Sequence, residues 1–295
     1  MEKLIGEIKG YQVVGKHSAV KTCFWLKKSL KDEGYCYKQK FYGINSHRCL
    51  QMTPALVCNQ YCIHCWRPLE LLKKFEGWDE PEFIVEESIK AQHRLLSGFH
   101  GNPKVNKVKL REAYKPNQVA ISLVGEPTLY PKLPELIDEF KKRGFTTFLV
   151  SNGTKPEVIE VCEPTQLYIS LIAYNEESHV ALNRPLENMW DRIVKSLEIL
   201  KNKSRSVVRL TLIKNLNMSE KALKCFSELL SRASPNFVEV KAYMFVGSSR
   251  FRLKYENMPE HVEVKNFAEK LAKSIDYNVV DESEASRVVL LSYES

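Results

Sequence analysis

The sequence predicts an α/β fold built on a mostly parallel sheet, preceded by a cysteine-bearing N-terminal extension. Two observations carry this. Short apolar runs alternate with stretches of helical period along residues 51–295, and the first 50 residues break that pattern while collecting lysines and thiols. The runs VAISLV (119–124), TTFLV (146–150), LYISLI (167–172), VVRLTLI (207–213), FVEVKA (237–242) and VVLL (288–291) are nearly continuous in apolar residues. Parallel strands covered on both faces read this way, whereas a strand with one wet face alternates. Repeated strand–helix alternation indicates a parallel sheet with right-handed crossovers, which closes into a TIM-like (β/α) barrel, partial or complete, or stays an open sheet, and the sequence leaves the closure undecided.

The elements follow in order. A strand-like stretch occupies 50–57 and a helix about 83–97. The polar segment 98–116 (GFHGNPKVNKVKLREAYKP) reads as an inserted surface loop. Leu133, Leu136, Ile137 and Phe140 recur at helical spacing, with Gly144 as the stop. Trp190, Ile193, Val194, Leu197 and Leu200 make a second stripe. Leu223, Phe226, Leu229 and Leu230 make a third, and Phe267, Leu271 and Ile275 a fourth. Such stripes belong to the core and are assigned no chemistry.

The chain of 295 residues is long enough for a large core. It reads as one domain over 1–295, with the extension at 1–50 and the barrel at 51–295. No apolar run approaches the roughly 20 residues of a membrane span. The start MEKLIGEIKG lacks the apolar segment of a signal peptide. A cytoplasmic protein without membrane contact is expected. There thiols stay reduced, so eight cysteines, six of them between Cys23 and Cys65, point to metal or cluster ligation. The formal charge is +8, and residues 1–50 hold ten basic side chains against four acidic ones. That bias suits a polyanionic partner and is expected to favour thiolates.

Cys58, Cys62 and Cys65 form C-x3-C-x2-C, three soft ligands on one compact loop. Three thiolates can hold three corners of a cubane iron–sulfur cluster and leave the fourth iron open to a small molecule. A zinc site of these cysteines with His64 or His47 is the alternative, although His64 adjoins Cys65 and is poorly placed to share its tetrahedron. Gly125-Glu126-Pro127 follows the strand at 119–124, and a carboxylate with backbone carbonyls suits an ammonium group. Ser151-Asn152-Gly153 and Ser170 are further candidates for polar contacts at strand ends. Cys23, Cys36 and Cys49 repeat as C-x12-C-x12-C, a spacing that core packing gives no reason to produce.

The C-x3-C-x2-C loop opening a β/α chain resembles the radical S-adenosylmethionine (SAM) superfamily, in which the open iron chelates SAM and one electron cleaves it to a 5′-deoxyadenosyl radical. By that resemblance Gly125, Glu126 and Pro127 face the SAM amino group, and Asn152 and Ser170 its carboxylate or ribose. His64 fills the position before the third cysteine, where an aromatic ring is usual.

The two triads together, across residues 15–67, resemble the tRNA 4-demethylwyosine synthase family. This implies a second [4Fe–4S] cluster on Cys23, Cys36 and Cys49. It also implies condensation of pyruvate with N1-methylguanosine beside the anticodon of phenylalanine tRNA. Lys38 matches the family lysine that engages pyruvate, with Lys40 its neighbouring competitor. A cluster and nearby cations would lower the pKa of such a lysine and supply the neutral amine. Lys104, Lys107, Lys109 and Arg111 are candidate phosphate contacts. Larger members carry a flavodoxin-like domain, and a chain of this length implies an external electron donor such as a flavodoxin or ferredoxin. The rival readings are a radical-SAM activase of a glycyl-radical enzyme and a non-catalytic, zinc-stabilised RNA-binding protein.

Overall fold

The computed structural model describes residues 10–68 and 77–293. They fall into two compact units, one of residues up to 58 with 77–150 and 161–165, the other of 59–68, 151–160 and 166–293. The first nine residues of the basic N-terminal stretch lie outside the described part.

In the first unit, β1 (Tyr11–Val14) and β2 (Ser18–Lys21) pair antiparallel, and β2 pairs antiparallel with β3 (Cys49–Thr53). Two short helices, α1 (Phe24–Ser29) and α2 (Tyr37–Tyr42), lie between β2 and β3. The sheet continues parallel through β4 (Gln118–Ile121) to β5 (Thr146–Ser151). Helix α3 (Pro81–Ser97) starts with Pro81, whose fixed φ and missing N–H suit a first turn. It packs against β1, β2 and β3.

Residues 98–116 are not simply a surface loop. They contain α4 (Lys107–Ala113), capped by Asn106, whose side chain accepts from Val108 and Lys109 N–H. Leu110 and Ala113 bury against Leu26, Leu30, Leu96 and Val105. The sequence hid this helix because its few apolar residues form no stripe, with Val108 exposed and only Leu110 and Ala113 covered, in part by the N-terminal extension. The expected helix at 133–140 is α5 (Leu133–Lys142), and Gly144 follows it with φ +78°. It packs on α3.

After α6 (Pro156–Val161), the second unit holds three parallel strands, β6 (Gln166–Leu171), β7 (Ser206–Leu212) and β8 (Phe237–Ala242). Two further strands, β9 (Asn278–Ser283) and β10 (Val288–Ser292), close its edge in the order β8-β10-β9. The run VVLL lies in β10 and is antiparallel to both neighbours, not parallel as its continuous apolar character predicts. A tight turn at 284–287 returns the chain directly from β9, leaving no crossover that could set it parallel. Helices α7 (Glu176–Asn183), α8 (Trp190–Ile199), α9 (Glu220–Ala233) and α10 (His261–Ile275) complete the unit, with α9 packed on α8 and α10. Among the described residues the first unit's strands run in the order β1-β2-β3-β4-β5 and the second unit's in the order β6-β7-β8-β10-β9, and neither sheet closes on itself.

Candidate functional site

The first unit brings three distant cysteines together. Cys23 caps α1, its Sγ accepting from Leu26 N–H at 3.2 Å; Cys36 precedes α2; and Cys49 opens β3. Burial raises the Cys23 thiol to about 11, and the charge of nearby Cys36 adds to the rise. Burial raises Cys49 further, reinforced by Cys23 and Cys36, while Lys38 pulls the other way. Basic surroundings were expected to lower these values. In the folded chain, desolvation and mutual repulsion outweigh the lysines. Three neighbouring thiols that raise one another this way give up their protons only to a cationic centre, and a coordinating metal deprotonates a thiol outright. The residues therefore fit an iron–sulfur cluster.

Lys38 joins this trio. It is 9% exposed, and its Nζ lies 4.5 Å above the ring centre of Phe148 on β5. Gln51, Ala120 and Phe148 form one cross-strand row, and Cys49 lies two residues before Gln51 on the same face. Helix α2 thus lays Lys38 over the face that carries Cys49. Lys40, two residues on, is exposed, and burial separates the two competitors.

Gly125 has φ +72°, and a Cβ there would stand 2.1 Å from the Ala55 carbonyl and 2.5 Å from that of Val57. The turn must be glycine so that its backbone can lie against the strand leading into Cys58. Glu126 N–H donates to Val57 O at 2.8 Å. The Glu126 carboxylate is buried and accepts from Thr128 N–H and Oγ1 at 3.2 and 2.7 Å. Pro127 is buried in the following turn.

In the second unit, Cys62 and Cys65 sit on a loop held by backbone bonds. Tyr61 and Ile63 donate to α7 carbonyls, and Arg252 donates to the carbonyls of Ile63 and Cys65. Asn152 Nδ2 donates to Asn59 Oδ1 at 2.9 Å, and Asn59 Nδ2 donates to Thr154 Oγ1 at 2.8 Å. These bonds tie the end of β5 to the cysteine loop. Burial, with help from Arg252, lowers His64 to about 4, so its ring is neutral. None of the eight cysteines is in a disulfide, and three of them on one loop are the donor set a cubane requires.

Ser170 shares a cross-strand row with Arg209 and Glu239, which the sequence reading passed over. Arg209 Nε donates to the fully buried Glu239 at 2.9 Å, and its guanidinium stacks over Tyr168 at 4.6 Å. The signal was present: one arginine and one glutamate interrupt the apolar runs VVRLTLI and FVEVKA. Among the candidate phosphate contacts, Lys109 is paired with Asp32 at 2.5 Å and Lys107 donates to His100 O at 2.8 Å. The side chains of Lys104 and Arg111 are exposed.

A model of the radical SAM superfamily matches residues 52–224, and one for wyosine base formation matches 232–293. The S-adenosyl-L-methionine-dependent tRNA 4-demethylwyosine synthase of Pyrococcus abyssi (strain GE5 / Orsay) is 54% identical, over 95% of this chain and 85% of that protein. The chain belongs to the tRNA 4-demethylwyosine synthase family. It is a radical SAM enzyme with the α/β partial barrel of that superfamily, and membership implies SAM and an iron–sulfur cluster. A structure of TYW1 with a lysine–pyruvate adduct bound is 45% identical, with a TM-score of 0.89 over 96% of this chain and 92% of that one. The crystal structure of an archaeal TYW1 is 41% identical, with a TM-score of 0.80 over the same shares. Membership sets aside the glycyl-radical activase and the zinc-stabilised binding module. Among the described residues no three Cys, His, Asp or Glu side chains gather for a single metal ion, and a cubane instead offers each thiolate a separate iron. No described helix is long and apolar enough to cross a membrane.

Proposed function

We propose that this chain condenses pyruvate with N1-methylguanosine beside the anticodon of phenylalanine tRNA, yielding 4-demethylwyosine. Cys58, Cys62 and Cys65 would hold a [4Fe–4S] cluster that binds SAM, and Cys23, Cys36 and Cys49 a second. When bound, the first cluster and SAM supply the radical chemistry that removes hydrogen from the N1-methyl group. Gly125, Glu126, Pro127, Asn152 and Ser170 remain the proposed SAM contacts. Asn152 and Glu126 already hold local bonds, so their part includes shaping the loops that face SAM. An external flavodoxin or ferredoxin is the proposed electron source, the cytoplasm the proposed setting, and one domain with a cysteine-bearing extension the proposed organisation.

The observation that supports this most is the position of Lys38, buried over Phe148 with its charge acting on the Cys49 thiol. An amine there can attack the pyruvate C2 carbonyl and expel water, leaving the pyruvate carboxylate beside the second trio. The shielded face keeps bulk water from the imine until the base amine displaces the lysine. Lys104 and Arg111 remain the better placed of the proposed tRNA contacts, because Lys107 and Lys109 are engaged within the protein.

Mass spectrometry of nucleosides from an anaerobic reaction tests the proposal. The reaction contains reconstituted enzyme, SAM, pyruvate, reductant and tRNA carrying N1-methylguanosine. The tricyclic nucleoside should appear only when both SAM and pyruvate are present. SAM cleavage with the base unaltered would overturn the proposal.

A further inference from the structure

The loop bearing Cys62 is flanked by buried amides that the proposed reaction does not use. Tyr61 N–H donates to the carbonyls of Asn183 and Arg184, both at 3.0 Å, and Ile63 N–H donates to Leu182 O at 3.0 Å. The end of α7 therefore runs along the loop and carries the buried Asn183 side chain to the sulfur. Asn183 Nδ2 lies 3.5 Å from Cys62 Sγ and 3.3 Å from Gln60 Oε1. On the other side, Cys62 Sγ donates to Gln60 Oε1 at 3.4 Å. Gln60 is 1% exposed, and its Nε2 is buried with no hydrogen-bond partner.

A buried amide donor left unpaired costs about 1–3 kcal/mol, so the arrangement suits a state in which that donor is used. Ligation supplies one. A thiol can donate to Gln60 Oε1, whereas a ligating thiolate only accepts. Turning the Gln60 amide about its terminal bond then presents Nε2–H to the sulfur in place of the oxygen. The sulfur would take two N–H bonds, from Asn183 and Gln60.

We infer that Asn183, backed by Gln60, is a positioning residue that sets the reduction potential of the cluster held by Cys58, Cys62 and Cys65. Reduction places more negative charge on the cluster and its sulfurs. Amide donors on a ligand sulfur therefore stabilise the reduced state and raise the potential. This makes the cluster easier for an external donor to reduce. The inference rests on the proposed ligand set.

Redox titration of the reconstituted full chain, followed by electron paramagnetic resonance, tests it. The cluster is identified by the change in its signal on adding SAM, and iron is assayed in parallel. In Asn183→Leu that signal should be about tenfold harder to reduce at a fixed potential, a shift of about 59 mV to lower values for one electron. Gln60→Leu should shift it in the same direction. Full iron with an unchanged midpoint in Asn183→Leu overturns the inference. If Asn183→Leu loses its iron, Gln60→Leu decides: a lower midpoint supports the inference, and an unchanged one overturns it. A wild-type chain with no SAM-responsive signal overturns the ligand set beneath it.

Discussion

The Lys38 Nζ lies 4.5 Å above the Phe148 ring centre, and Lys38 is the second residue of α2, whose N-cap is Cys36. One turn of backbone therefore carries both Cys36, a proposed cluster ligand, and the proposed pyruvate amine. Borohydride trapping with labelled pyruvate should mark the wild-type chain and Lys40→Ala but leave Lys38→Ala at background. Label retained in Lys38→Ala would exclude that amine.

Cys36 stands close enough to Cys23 and Cys49 to raise both thiols. After anaerobic reconstitution, Cys36→Ala should lose about half the iron of a chain holding two cubanes. Iron content equal to wild type would remove the second site.

Gly125 has no room for a side chain: the added methyl would meet the Ala55 carbonyl at 2.1 Å, at φ +72°. Gly125→Ala should cost on the order of 3 kcal/mol or more from strain and overpacking together. The melting temperature measures this, and a shift within error would mean that the turn relaxes freely.

Arg209 and Glu239 form a bonded pair, with the glutamate side chain fully buried. Arg209→Met should destabilise the chain by about 3–5 kcal/mol because it strips a partner from a buried charge. Adding Glu239→Gln should recover much of the loss. Denaturant titration of wild type and both variants checks this, and a double variant no better than Arg209→Met would show that packing against Tyr168 dominates.

His17 is fully buried, accepting from Asp79 N–H at 2.7 Å through Nε2 and donating through Nδ1 to Pro54 O at 2.6 Å. Burial, chiefly, holds its pKa below 6.5, against the opposing pull of Pro54 and Asp79. The unfolded chain therefore binds this proton at a higher pH than the folded one. The stability tied to neutral His17 is fully present above pH 6.5 and is lost as pH falls below it. Thermal melts between pH 7.5 and 5.5 should show a steeper acid decline in wild type than in His17→Gln. Equal slopes would remove His17 as the cause.

Sequence alone determined the alternation of strands and helices, the two cysteine spacings and the glycine turn, because each is written in neighbouring residues with a period or a spacing. It also placed Lys38 beside its motif. Only the tertiary structure decided the antiparallel return of β10, the helix hidden in 98–116, and the burial that separates Lys38 from Lys40. The same holds for the raised Cys23 and Cys49 thiols, the Arg209–Glu239 pair and the amides at Cys62. These depend on residues far apart in the chain meeting out of water. There desolvation and cross-strand neighbours set charge and hydrogen bonding, and no local pattern records them.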